Sequence, residues 1–112
     1  MPRPPKPRFV SGYPVVKAFV PEGGFTSGEV LLSIEGMESI RLSDFECLDQ
    51  DSAAKLMEVS RQTYGRILSE ARSIVANALV MGKTLRIGGG MYEFRGRQGR
   101  RRRGRGGGRF SR

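Results

Sequence analysis

The sequence contains no histidine and a single cysteine, Cys47. Without histidine the chain lacks the commonest general base and the commonest neutral metal ligand. With one cysteine it can form no internal disulfide and no multi-cysteine zinc site, so no metal or other cofactor is expected. Cys47 itself reads as a small apolar filler. No apolar run approaches membrane-spanning length, and the proline-rich start does not look like a signal peptide. Paired carboxylates suited to a cleft are missing too. The run Gly88-Gly89-Gly90 lacks the following Lys-Ser/Thr and the helix that would complete a phosphate loop, so it reads as a linker. These absences leave little chemistry for an enzyme. They point instead to a cytoplasmic, nucleoid-associated binding protein with no membrane partner.

Charge is present but unevenly placed. Among 112 residues the net charge is +9. Residues 95–112 hold nine arginines and no acid, so residues 1–94 are neutral in sum. Within that neutral body, residues 1–20 carry +4, residues 21–59 carry −7 and residues 60–90 carry +4. Basic segments therefore flank an acidic middle, a field suited to a polyanion on one side of the molecule. The arginine–glycine stretch cannot bury enough apolar surface to offset chain entropy, and disorder is expected over residues 91–112.

Residues 1–12 read as a basic arm. Pro2, Pro4, Pro5 and Pro7 alternate with Arg3, Lys6 and Arg8, which favours an extended polyproline-like chain. Residues 15–20, Val-Val-Lys-Ala-Phe-Val, read as a short strand between Pro14 and Pro21. A lone strand needs a partner, and the other good candidate is Thr84-Leu85-Arg86-Ile87. These two segments are expected to pair, within the chain or across a dimer. The glycine-bearing stretch 22–28 is a loop.

Helical signals fill the middle. Ser33 offers an N-cap, with Leu32 and Met37 at the spacing of a hydrophobic staple. Ile34, Met37, Ile40, Phe45 and Leu48 then mark a helix over about 34–47, whose acidic face carries Glu35, Glu38, Asp44 and Glu46. Gly36 weakens its first turn. Asp49 caps a second, short helix through Met57, with Ala53, Ala54 and Met57 apolar. After Glu58-Val59, Ser60 caps a third. There Tyr64, Ile67, Leu68, Ala71, Ile74, Val75, Ala78 and Leu79 give the strongest helical periodicity in the chain, ended by Gly82. Its second half has apolar positions to spare, which suits packing against another subunit.

Two short helices joined by a tight turn, with small residues on the facing surfaces, make a helix-turn-helix. Ala53 and Ala54 supply the small contact, Val59 plugs the turn, and Tyr64 and Ile67 fall inward. Arg61, Gln62, Gly65, Arg66 and Ser69 fall outward near the start of the third helix. In this motif that segment meets base edges in the major groove. Arginine pairs bidentately with guanine and glutamine with adenine. Ser60 and Thr63 at the helix N-terminus suit phosphate, and Arg72 extends the basic side. Gly65 costs about 1 kcal/mol against alanine in mid-helix, which points to close approach of DNA or another helix, or to a tolerated imperfection.

The run from Ser33 to Gly90 resembles an uncharacterised prokaryotic family of small predicted DNA-binding proteins, the domain of unknown function one-three-four. The shared motifs are Ile40-Arg41-Leu42-Ser43-Asp44, Ala53-Ala54, Val59-Ser60-Arg61-Gln62-Thr63, Gly65-Arg66-Ile67-Leu68 and Gly82-Lys83-Thr84-Leu85-Arg86-Ile87, with a similar opening Met1-Pro2-Arg3-Pro4. The resemblance implies a helix-turn-helix like that of sigma-factor region four, DNA binding, and relatives in bacteria and archaea. Two features depart from it. The family usually has glycine at the turn, where this chain has Glu58, so a looser or different turn is expected. The arginine–glycine tail lies outside the shared region.

The expectation is thus a mainly α fold. Residues 13–90 form a three-helix, helix-turn-helix domain with two short flanking strands, between the basic arm and a disordered basic tail. Its function is to bind duplex DNA as a homodimeric transcriptional regulator. Arg3, Lys6, Arg8, Arg100, Arg101, Arg102 and Arg103 are auxiliary phosphate contacts. Two alternatives stay open: sequence-indifferent binding of nucleic acid, RNA included, through the tail, and a sigma-like module that contacts RNA polymerase.

Overall fold

Three helices and five short strands make up the fold, in a computed structural model that describes residues 7–12 and 14–90 together with the backbone of 92–94. In chain order the elements are β1 (Arg8–Val10), β2 (Ala18–Phe19), β3 (Glu29–Leu32), α1 (Ile34–Ile40) running on into a π-helical turn (Arg41–Phe45), α2 (Gln50–Met57), α3 (Arg61–Met81), β4 (Thr84–Ile87) and β5 (Tyr92–Phe94). The mainly α reading holds, and all three helices stand where capping and periodicity place them. Ser33, Asp49 and Ser60 each accept the backbone N–H of the residue three places on. Gly82, at φ 71, ends α3.

The strands are more numerous than expected. β2 and β4 do pair, antiparallel and within the chain, with Ala18 opposite Arg86 and Phe19 opposite Leu85. β2 is shorter than residues 15–20, however. On its other side β4 pairs parallel with β3, giving the order β2-β4-β3. β1 and β5 form a separate parallel pair, with Arg8 opposite Tyr92 and Val10 opposite Phe94. The packed body therefore starts inside the expected arm and ends inside the expected tail. Val10, read as part of the arm, is fully buried in the core. Disorder of residues 95–112 lies outside the described residues, as do Arg3 and Lys6.

The first helix also differs in its ending. A π turn widens it at Arg41–Phe45, where the N–H of Glu46 reaches the carbonyl of Arg41 at 2.8 Å. Cys47 then takes a left-handed conformation, φ 62, two residues after the last helical residue. It is exposed, so it is a turn residue and not the core filler expected. Glu38 departs from the solvated acidic face. Its residue is 4% exposed, and its carboxylate accepts the N–H and hydroxyl of Ser11 and both guanidinium N–H groups of Arg41 at 3.0 Å. Arg41 in turn reaches Glu46.

Close packing explains Gly36. A Cβ there would stand 3.0 Å from the Leu32 side chain and 3.3 Å from the Ala71 Cβ, so α1 approaches α3 too closely for a larger residue. The glycine triplet after β4 is likewise packed and not a free linker. The N–H of Gly88 donates to Leu32 and the carbonyl of Gly89 accepts from Ile34.

Tyr64 sits at the centre. Its ring is fully buried, its hydroxyl donates to the Ser39 carbonyl at 2.9 Å, and it shares a short hydrogen bond with the Ser43 hydroxyl. Burial pushes its phenol above the ordinary value. Replacing Tyr64 with Phe keeps the ring but removes the bonds to the Ser39 carbonyl and the Ser43 hydroxyl. The expected cost is about 1–2 kcal/mol in a urea melt; an unchanged midpoint would remove the hydroxyl from this account.

Candidate nucleic-acid interface

The candidate interface is built on α2, the turn at 58–60 and the first half of α3. Ala53, Ala54 and Met57 bury one face of α2, while Asp51, Ser52, Lys55 and Leu56 stay outside. The turn then closes with two backbone hydrogen bonds. Glu58 donates to Lys55 at 3.1 Å and Val59 donates to Ala54 at 3.0 Å. This crossed pair requires a left-handed residue at its first position, and Glu58 supplies it at φ 56, ψ 46. The expectation of a looser turn is thus corrected. The chain holds the tight geometry with glutamate in the place where glycine is unstrained, at a cost of about 1–2 kcal/mol. Val59 packs on the core, so the turn is anchored from inside.

Ser60 begins α3. Its hydroxyl oxygen accepts the N–H of Thr63 and its proton goes to the Thr63 hydroxyl, both at 3.0 Å. The Thr63 proton is left to reach an acceptor beyond the helix end. Tyr64, Leu68 and Ala71 are buried and Ile67 half-buried, as expected, so the opposite face meets solvent. At 100° per residue, Arg61, Gln62, Arg66, Ser69 and Arg72 share an arc of about 140° on that outer face. All five are exposed; Glu70, the one carboxylate of α3, is exposed as well and lies about 40° beyond Arg66, outside that arc.

Two of the expected contacts differ in detail. Gly65 lies within the same arc but is half-buried, because the Gln50 side chain of α2 partly covers it. A Cβ there would lie 3.5 Å from Gln50 Oε1, ordinary contact, so the fold itself leaves room for alanine. Arg72 is bound bidentately by Asp44, at 2.7 and 3.2 Å, which fastens the π turn to the middle of α3. This pair holds the Asp44 carboxyl below its ordinary value and raises Arg72. Arg61 approaches Asp51 at only 3.5 Å, with both side chains 68% exposed, a pair worth little in water. Gln62, Arg66 and Ser69 make no side-chain hydrogen bond or ion pair among the described residues. Arg8 is half-buried in β1, and Arg100, Arg101, Arg102 and Arg103 lie outside the described residues. The residues that sequence reasoning missed are Asp44, as the partner of Arg72, and Gln50, as the neighbour of Gly65. Neither spacing nor composition signals a contact across two elements.

Residues 1–95 match the family described as Protein of unknown function DUF134. The chain belongs to that family. A UPF0251 protein of Thermoanaerobacter sp. (strain X514) is 48% identical over 110 residues, covering 92% of this chain and 97% of the relative. One from Caldicellulosiruptor saccharolyticus is 52% identical over 94 residues, covering 84% and 67%. Another, from Caldanaerobacter subterraneus subsp. tengcongensis, is 48% identical over 98 residues, covering 86% and 83%. The family match stops at the start of the arginine–glycine stretch. The first of these alignments covers more of the chain than residues 1–95 and so runs into it. No solved structure matches significantly. No described helix is long and apolar enough to cross a membrane.

Two outcomes are expected from this geometry. Glu58→Gly should raise stability by about 0.5–1 kcal/mol, the relieved strain less the entropy glycine adds to the unfolded chain, while Ser60→Ala should lower it by about 1 kcal/mol. Thermal melts read both, and a destabilised Glu58→Gly would contradict the strained-turn assignment. The carboxyls of Asp44, held by Arg72, and Asp49, held by the N–H of Ser52, both lie below their ordinary 3.8. Their contribution is complete above that ordinary value and is lost as pH falls through the lowered folded values. Asp44→Asn should therefore flatten the acid limb of a stability–pH curve.

Proposed function

We propose that this protein binds duplex DNA as a transcriptional regulator and reads sequence by laying residues 60–69 of α3 in the major groove. One observation carries the reading. A capped helix N-terminus presents Arg61, Gln62, Arg66 and Ser69 outward, beyond a turn whose geometry is closed by Glu58 and Val59. Arginine and glutamine on one helical stripe match the donor and acceptor patterns of guanine and adenine. Ser60 and Thr63 stand where a phosphate approaches the helix end, which favours anions. Arg61 leaves Asp51 at small cost, whereas Arg72 is held by Asp44 and serves the fold first. In the bound state Glu58 lies next to the reading segment, and its charge opposes the phosphates.

A second reading rests on charge placement. The whole excess of +9 resides in residues 95–112, so that segment supplies salt-dependent affinity for any nucleic acid, RNA included. The two readings combine if the helix selects and the tail strengthens.

Arg61→Ala, Gln62→Ala and Arg66→Ala should each change sequence preference, at about 1–3 kcal/mol per lost base contact, when bound sequences are selected from a random duplex pool. Arg72→Ala should alter preference least of the four arginine and glutamine variants. Gly65→Ala should stabilise the free protein by about 1 kcal/mol, and a simultaneous loss of DNA affinity would show close approach of the backbone to the duplex. Removal of residues 95–112 should weaken binding and reduce its salt dependence while preference persists. Identical preference in wild type and the Arg61, Gln62 and Arg66 variants would sink the helix assignment. Loss of all binding on truncation would leave the second reading alone.

A further inference from the structure

The far end of α3 has a different character from its reading end. Charged residues stop at Arg72, and residues 73–82 carry none. Leu79 and Val80 are 79% and 80% exposed, and Met81 is exposed beside them. The loop before β3 is tied to this helix end, since the Ser27 hydroxyl donates to the Met81 carbonyl at 2.6 Å and its N–H reaches Gly82. That loop carries Phe25, 89% exposed. β2 arrives at the same place. Its antiparallel register on β4 carries Val20 toward the Gly82 turn, next to the exposed Phe19. Six large apolar side chains on three segments thus meet solvent at one end of the molecule. Large apolar side chains exposed together in this number mark an interaction site.

We infer that this end is a homodimer interface, in which a second copy of the chain docks against the last two turns of α3 and the free edge of β2. Three observations favour a second copy. First, the surface carries few charges. Lys17 is the one charge in residues 14–21, Glu22 the one charge in the following loop up to Gly28, and Lys83 follows the Gly82 turn. Nucleic acid or an anionic membrane requires a denser set of cations than Lys17 and Lys83. Second, β2 is the terminal strand of the order β2-β4-β3, and no described residue pairs with its outer edge. An antiparallel edge on a two-fold axis pairs with its own copy, the isologous arrangement. Third, the area is sufficient. With roughly 150–200 Å² for each large side chain, the exposed fractions leave on the order of 700–800 Å² a side, about what a standard interface buries per partner.

The geometry suits two-fold reading without depending on it. Leu79 lies about 27 Å along the helix from Arg61, at 1.5 Å per residue, so docking at one end leaves the Ser60 end clear. The interface stands on exposure and sheet order, apart from any role in DNA binding, and its test uses no DNA.

Sedimentation equilibrium of the full chain at high salt, over a wide concentration range, is the experiment. Wild type should show twice the chain mass. Leu79→Glu and Phe19→Glu, at exposed positions on separate elements, should each weaken association about tenfold or more, because the dimer would bury a lone carboxylate. Far-UV circular dichroism checks that both keep their helices. Hydrogen exchange on wild type needs no variant, and protection of the Ala18 and Val20 amides, which face away from β4, should rise with protein concentration. A monomer at every concentration overturns the inference. So does wild-type association in either variant, or β2 protection that is independent of concentration.

Discussion

The start of α3 has a fixed direction because Tyr64 is buried beneath it. Tyr64 lies in the first turn of α3, four residues after the Ser60 cap, and its ring has no exposed surface. Its hydroxyl is held from the other side by Ser39 and Ser43, where α1 passes into the π turn. The outward pose of Arg61, Gln62 and Arg66 follows from this inward anchor, because residues on one helix rotate together. The Asp44–Arg72 pair adds a second attachment two turns further on, between the same two elements. A helix held at two points against its neighbour presents one face and not an average of several.

The helical part of this fold is legible in the chain for a physical reason. Caps and periodicity are local, and Ser33, Asp49, Ser60 and Gly82 act within one turn of where they stand. The strands are not legible in the same way. β3 is four residues long and abuts the Ser33 cap, so Leu32 reads equally as a staple before a helix. β1 hides among prolines and bases, and β5 adjoins the arginine-rich stretch. Each acquires its structure only from a partner distant in sequence. Side-chain partners share that difficulty. Glu38 lies on a face that reads as acidic, yet Ser11 and Arg41 draw it into the interior. Cys47 reads as core by type, but the π turn ahead of it shifts the register and leaves it exposed. The two helical glycines show the same limit. Gly36 is required by Ala71 across the helix pair, while Gly65 is not required by any described neighbour.

Charge follows a similar division. The net neutrality of residues 1–94 conceals specific pairing: Arg41 with Glu38 and Glu46, Arg72 with Asp44, Arg86 with Glu29. Four acids of the acidic middle, Glu29, Glu38, Asp44 and Glu46, thus hold arginines, while Glu22, Asp49, Asp51 and Glu58 stay exposed. What remains outward in the first half of α3 is a narrow polar set, Gln62, Arg66, Ser69 and Glu70, with Arg61 loosely tethered. On the proposed function, such a small set suits selectivity more than strength, and bulk affinity would fall to residues 95–112, where arginine meets no acid in sequence.

The parallel pair of β1 and β5 has a consequence for how the chain reaches this state. Arg8 and Tyr92 are opposite one another though 84 positions apart, and every other described element lies between them. Parallel strands cannot be joined by a hairpin, so this contact closes the longest loop in the fold. Helices capped from their own sequence can form early, with the β2-β4-β3 sheet following. The three-residue ribbon therefore carries the largest closure cost of the described pairings, a clasp between the two ends of the body. Synthesis runs from the N-terminus, so until Phe94 is made β1 has no strand to pair with, and the edge beside Val10 stays open.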